Sequence, residues 1–342
     1  MSNPFEIFEI SDDDDEAPKV LSEVTKEDEI LIINITETGK RKRKAVFDDV
    51  ALKRLKIDQM DLSTVDGIPT CVYREIGCLE QLEGCDHTCE LLEVVAKAGL
   101  RSVDFVMVLS FCDFDLCALL CSGVVLKFVH KKTIMYQLMK ALQSCYKLNI
   151  VHRDVKTSNI LFTSAGILKL ADFGQARNFM STTVYSPEVC TLWYRSPEVL
   201  LGSEDYGSSL DMWSAGCILA ELLTQKPFLP GNSEIQQLLL IVSKCGNIDE
   251  ESLPGCEKLK FYRNVCLPKN GSRIINQYFR MADDETRDLL EGLLYLDPKK
   301  RFSVNDTMSH PFFKVAPLPR TNIKDILTSV GNAHFEYEVR NR

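Results

Sequence analysis

The chain has 342 residues, 45% of them apolar and 26% charged, with a formal net charge of −9. That balance describes a globular protein long enough for one two-lobed domain or two small ones, and its acidic excess argues against nucleic acid as the principal ligand, since a phosphate-binding surface needs surplus Lys and Arg. No apolar run reaches bilayer length, the N-terminus lacks the basic-then-apolar order of a signal peptide, and the thirteen Cys contain no C-x-x-C pair, so reduced thiols in the cytosol or nucleus are expected, with no membrane partner.

Residues 1–28 read as a disordered acidic tail, because like-charge runs resist compaction. Within it residues 7–16 (IFEISDDDDE) join a β-prone patch to an acid block. That order resembles a SUMO-interacting motif, which adds a strand to the partner's sheet edge. Residues 29–35 (EILIINI) predict a strand, residues 42–47 a second one, and residues 36–39 the turn between them. The basic insert Lys40, Arg41, Lys42, Arg43 and Lys44 resembles a nuclear localisation signal, with a solvated loop as the alternative. Residues 49–57 (DVALKRLKI) alternate as a strand does and carry V-A-x-K, ending at Lys53. In the next segment Val72, Ile76 and Leu79 recur at helical spacing, Pro69 suits a first turn, and Glu75 lies on the same helix.

Residues 105–116 (FVMVLSFCDFDL) read as a strand ending in a linker. The densest signal follows at residues 151–174, where H-R-D-x-K-x-x-N (His152, Arg153, Asp154, Lys156, Asn159) precedes D-F-G (Asp172, Phe173, Gly174). Phosphoryl transfer asks a protein chiefly to position groups and neutralise charge. In that chemistry Asp154 would accept the proton of an attacking hydroxyl and Lys156 would sit beside the transferring phosphate. Asn159 and Asp172 would give oxygen ligands to Mg²⁺, a hard cation. Two short apolar runs, residues 160–162 and 167–170, predict a hairpin that brings Asn159 and Asp172 side by side.

A polar loop then runs to Tyr185-Ser186-Pro187-Glu188, followed by residues 189–198 (VCTLWYRSPE). The remainder reads as helical, with an almost wholly apolar helix over residues 209–223 and amphipathic helices over 234–244 and 286–296. His87, His130 and His334 share no metal-ligand spacing.

These motifs, from about Asp49 to His310, resemble the eukaryotic Ser/Thr protein kinases, and PTCVYRE after Asp66-Gly67-Ile68 resembles the helix by which cyclin-dependent kinases grip a cyclin. The resemblance implies an α+β, two-lobed protein kinase fold, with a small β-rich lobe over 29–112, a helical lobe over 113–314 and a tail over 315–342. It implies ATP and Mg²⁺ as cofactors, a cyclin partner and protein substrates with Ser/Thr-Pro sites. ATP contacts carried over are Ala51, Lys53 paired with Glu75, Ser110, Cys112, Asp115, Leu161 and Asp172, with Leu109 as gatekeeper. Ser186 falls at the activating phosphosite, and Arg74, Arg153 and Arg177 at the pocket that receives its phosphate. Cys190 and Arg195 belong to the segment that favours Pro after the acceptor, Cys190 standing where relatives have Val. Glu198 and Arg301 should form a buried structural pair. VALKRLK, K-T-S-N-I-L, the Ser-Pro of the loop and D-P-K-K-R look like the branch linked to transcription and RNA processing, which with the basic run implies the nucleus.

One feature of the family is missing. Residues 17–49 hold a single glycine, Gly39, and no G-x-G-x-x-G, the motif whose backbone N–H groups approach phosphate closely because glycine has no Cβ. Two readings follow: a cyclin-dependent kinase with a degenerate phosphate-covering loop, and a pseudokinase scaffold that binds a cyclin or another partner without transfer.

Overall fold

The computed structural model describes residues 30–34, 49–55, 64–65, 68–98, 103–179 and 191–327. The acidic motif at 7–16, the basic run at 40–44, the strand expected at 42–47, Ser186 and Cys190 lie outside the described residues. The chain divides into two compact units, one formed by residues 1–85 and 89–112, the other by 86–88 and 113–342.

The smaller unit is built on an antiparallel sheet of β1 (Ile30–Asn34), β2 (Asp49–Leu55), β5 (Leu91–Ala98) and β6 (Val103–Ser110) in the order β1-β2-β6-β5. The strand expected at 29–35 forms, but β1 pairs with β2 itself, Asn34 opposite Asp49 and Ile30 opposite Lys53. The ladder with DVALKRL pairs backbone N–H and C=O groups along one edge of β1. Two-residue strands β3 (Thr64–Val65) and β4 (Ile68–Pro69) lead into helix α1 (Thr70–Gln81). Pro69 therefore sits before the helix rather than in its first turn, because its pairing with Thr64 holds it extended. Val72, Ile76 and Leu79 are all buried, as their spacing predicts.

In the larger unit β7 (Phe114–Asp115), β9 (Ile160–Phe162) and β10 (Leu168–Leu170) form one small antiparallel sheet, and β8 (Ile150–Val151) pairs with β11 (Arg177–Asn178). Helix α2 (Leu116–Cys121) is capped by Asp115, and α3 (Phe128–Lys147) packs on α5 (Ser209–Thr224), with the four-residue α4 (Pro197–Leu200) between them in sequence. The apolar body of α5 is buried along its length, Trp213 included. Helices α6 (Glu234–Cys245), α7 (Ile275–Tyr278), α8 (Asp284–Leu293), α9 (Val304–Ser309) and α10 (Lys324–Leu327) complete the unit. Helix α8 starts earlier than expected because the Asp283 carboxylate accepts the Thr286 N–H at 2.7 Å, an N-cap that apolar periodicity does not register.

Candidate active site

The segment leaving β8 is held from below by one buried carboxylate. Asp211, in the first turn of α5, accepts the backbone N–H of His152 at 2.9 Å and of Arg153 at 2.8 Å. Burial raises the pKa of Asp211 above the ordinary carboxylate value, and His152 and the two N–H bonds oppose that shift. Arg153 adopts a left-handed backbone, φ 68°, which a non-glycine residue keeps only where its surroundings enforce it. Here the anchors are Asp211 and the guanidinium's own bonds to the Gln175 carbonyl (2.7 Å) and the Tyr206 hydroxyl (2.8 Å).

That strained turn presents Asp154, whose carboxylate is oriented by four donors. One oxygen accepts the backbone N–H of Thr191 at 2.9 Å and its hydroxyl at 3.1 Å. The other accepts the Lys156 ammonium at 2.9 Å and the Asn159 amide at 3.1 Å. The same Asn159 nitrogen donates to the Asp154 carbonyl at 2.8 Å, which leaves the amide oxygen of Asn159 as its ligating atom. A carboxylate has about four lone-pair sites, so its plane is fixed before any substrate arrives.

The hairpin forms as the apolar runs predict, Ile160 opposite Leu170 and Phe162 opposite Leu168. Ala171 N–H donates to the Asn159 carbonyl at 2.9 Å, so Asn159 and Asp172 flank the open end of the same ladder. Asp172 is also left-handed, φ 64°, and Phe173 packs edge-on to His152 with ring centroids 4.7 Å apart. His152 Nδ1 accepts the Asp154 N–H at 3.2 Å, which makes Nε2 the donor to the Ala171 carbonyl at 3.0 Å. One imidazole thus ties the Asp154 turn to the residue before Asp172. An amide oxygen from Asn159 and a carboxylate from Asp172 form an all-oxygen donor set, which suits Mg²⁺.

In the smaller unit Lys53 on β2 donates to Glu75 on α1 at 2.8 Å. Ala51 is half-buried on the same face of β2, opposite Leu109, the residue before Ser110. Ser110 closes β6 with its N–H donated to the Glu90 carbonyl at 2.9 Å, and Cys112 is buried just beyond it. Arg74 lies on α1 in this unit. In the larger unit Leu161 is half-buried opposite Asp115, whose carboxylate accepts the Ala118 N–H at 2.7 Å as the N-cap of α2. Arg177 pairs across the β8–β11 ladder with Val151, two residues before Arg153. Arg195 reaches Glu234, the first residue of α6, at 2.7 Å.

Three groups at this site were not singled out from the sequence as site residues: Thr191, Asp211 and the trio Thr157, Tyr194 and Glu221. Tyr194 donates to Glu221 at 2.8 Å and meets the Thr157 hydroxyl at 3.0 Å, joining the catalytic turn to residues 191–195 and to α5. Burial foremost, then the charge of Glu221, pushes the Tyr194 phenol well above its usual pKa, so it stays a donor. A signal existed for Asp211, an acid in the first turn of an almost wholly apolar helix.

The family description "Protein kinase domain" matches residues 36–313. Cyclin-dependent kinase 9 of Danio rerio is 36% identical over 317 residues, which cover 88% of this chain and 83% of the relative. That of Bos taurus is 36% identical over 330 residues, covering 92% and 87%. The probable cyclin-dependent kinase 9 of Caenorhabditis elegans is 34% identical over 334 residues, covering 85% and 69%. Among solved structures, a chain of the CAK complex from Chaetomium thermophilum bound to ATP-gamma-S aligns with a TM-score of 0.70 and 32% identity, over 81% of this chain and 85% of that one.

Proposed function

From the premise that the chain belongs to the protein kinase family, and within it to the cyclin-dependent Ser/Thr kinases, we propose that it transfers the γ-phosphate of ATP to Ser or Thr followed by Pro, with Mg²⁺ and a cyclin. The observation that carries this reading is the Asp154 carboxylate, fixed by Lys156, Asn159 and both donors of Thr191. A substrate hydroxyl entering there would replace one of those donors and give its proton to Asp154. Lys156 is the donor best suited to leave, since an ammonium on a flexible stem exchanges a carboxylate for a phosphate oxygen easily. Asn159 and Asp172 would hold Mg²⁺, whose charge would offset that of the phosphate. Lys53, steered by Glu75, would meet the nucleotide phosphates as well.

The Ser-Pro loop and the branch-specific strings support work in transcription or RNA processing. The basic run at 40–44 supports the nucleus, and the patch at 7–16 a SUMO-bearing partner. The relatives described above are named as kinases, which leaves the scaffold reading without support. The test is radiolabel transfer from ATP to a Ser-Pro-rich peptide by protein purified with a co-expressed cyclin, alongside Asp154→Asn. Asn keeps the shape but cannot take the proton, so a fall of roughly 10²–10⁴-fold is expected. Wild-type protein that holds its cyclin yet transfers nothing would overturn the proposal.

A further inference from the structure

The chemistry above leaves unused a groove of about 830 Å³ in the larger unit, walled in part by residues 318–321. Its construction is read from the residues that pin that segment down. Gly166, at the β9–β10 turn, has φ +75°, and a Cβ there would lie 2.4 Å from the Lys324 backbone nitrogen, so only glycine lets the two stretches of chain meet. The Ile323 N–H donates to the Gly166 carbonyl at 3.0 Å. Buried Gln137 of α3 donates to the Thr321 carbonyl at 2.8 Å while accepting the Leu168 N–H at 2.7 Å. The Arg320 N–H donates to the Thr133 hydroxyl at 2.9 Å. With both walls tied down, the groove needs no ordering before it binds.

The lining has a definite chemistry. Tyr136, Phe313 and Leu318 supply apolar surface, and Leu318 stands 57% exposed. Lys140, Lys169 and Arg320 face a single carboxylate, Asp86. In a chain with net charge −9, this is a local reversal of sign. Arg320 is paired with Asp325 at 3.0 Å, but Lys140 and Lys169 have no carboxylate partner among the described residues. Both lysines line the same groove as His87 and Asp86, so their positive charge is presented to one cavity. Cations without a carboxylate partner, Lys140 with its ammonium 5.7 Å from the centre of the Tyr136 ring, beside exposed apolar surface complement a ligand that brings both carboxylates and a large side chain.

We propose that this groove docks an acidic peptide segment of a partner protein, its carboxylates meeting Lys140 and Lys169 and a Leu or Phe covering Leu318 and Tyr136. Such a site would select substrates or regulators by a contact separate from the acceptor hydroxyl.

The probe is a fluorescein-labelled peptide, Glu-Leu-Glu-Phe-Asp-Leu-Glu, titrated by anisotropy with the full chain and its co-expressed cyclin, against a control peptide with Gln for every acid. Saturable binding that weakens with salt is expected, and about tenfold or greater loss with Lys140→Glu, with Leu318→Asp, or with the Gln peptide. Both variants should phosphorylate a short Ser-Pro peptide as the wild type does, which reports an intact fold. Absence of saturable binding, or binding that none of these changes moves, would overturn the proposal. So would binding seen only after Glu336→Gln and Glu338→Gln, because the stretch HFEYEV at residues 334–339 has the sought chemistry and the occupant would then be the chain's own.

Discussion

Two ion pairs, one in each unit, show how the same charges are put to different ends. Arg301 and Glu198 meet as a two-pronged fork at 2.8 and 3.0 Å, with side-chain exposures of 0% and 4%. The carbonyls of Ser209, Tyr295 and Leu296 take further guanidinium hydrogens, and the Trp213 ring lies 5.1 Å from the charge. Lys53 and Glu75 meet at 2.8 Å, but the lysine side chain keeps 25% of its surface accessible. A rigid fork enclosed by carbonyls can only hold its place. An ammonium on a flexible, part-exposed stem can change partners, as a phosphate ligand must.

The largest expected effect is therefore on stability, at the enclosed pair. Arg301→Ala should cost about 3–5 kcal/mol by stranding Glu198 in the interior, and Glu198→Ala should cost a similar amount. Replacing both by apolar residues should recover a large part of that loss, since the desolvation of two charges disappears with them. Thermal unfolding of the single and double variants measures this. A double variant no better than the singles would mean that the carbonyl contacts, rather than the fork, carry the stability.

Lys53→Met should behave in the opposite way. Removing one preorganised donor to developing charge lowers transfer by about 10²–10³-fold. The melting temperature should fall less than for Arg301→Ala, since the lysine end of the pair is open to solvent although Glu75 is buried. Should Lys53→Met instead unfold the protein as Arg301→Ala does, the functional reading of the accessible pair fails.

A third change probes the larger unit's own chemistry. Thr191→Val deletes one of the four donors to Asp154 and spares the backbone N–H at 2.9 Å. Bonds to charged groups are worth about 1.5–3 kcal/mol, so kcat should fall by about 10–100-fold, and Thr191→Ser should restore most of it. An unchanged KM would place the loss in the chemical step.

Much of both pairs and of the Asp154 site was legible in the sequence, for a physical reason. Phosphoryl transfer needs fixed residue types at short spacings, so His152 to Asn159 and Asp172 announce themselves within one hairpin. The apolar periods of α1 and α5 likewise follow from burial on one face or all round. Residues that support the site from a distance were harder to see. Thr191 reaches Asp154 across 37 positions and Asp211 reaches His152 across 59, and neither separation leaves a local pattern. The pairing of β1 with β2 was missed for the same reason, since an apolar strand does not reveal which neighbour it takes.

The smallest expected effect concerns a group that belongs to neither kind of pair. His87 is half-buried, with its Nδ1 3.1 Å from the Leu168 carbonyl. Burial lowers its pKa below the usual 6.5; the Leu168 bond and Asp86 pull upward, and Lys169 and Lys140 push down again. The sign follows directly. As pH falls through 6.5 the unfolded chain takes up a proton that the folded chain resists, so stability is complete above that value and declines below it, toward the folded pKa. His87→Gln cannot titrate and should flatten this decline. Melting temperatures compared between about pH 7.5 and pH 5.5 should drop further for wild type than for the variant, by about 2 °C at most, since ~1 kcal/mol moves Tm by ~2–4 °C in domains of this class. A steeper decline in the variant would show that His87 gains more from Asp86 when charged than it loses by leaving water, and the reading of His87 as a group that resists protonation in the folded chain would have to be given up.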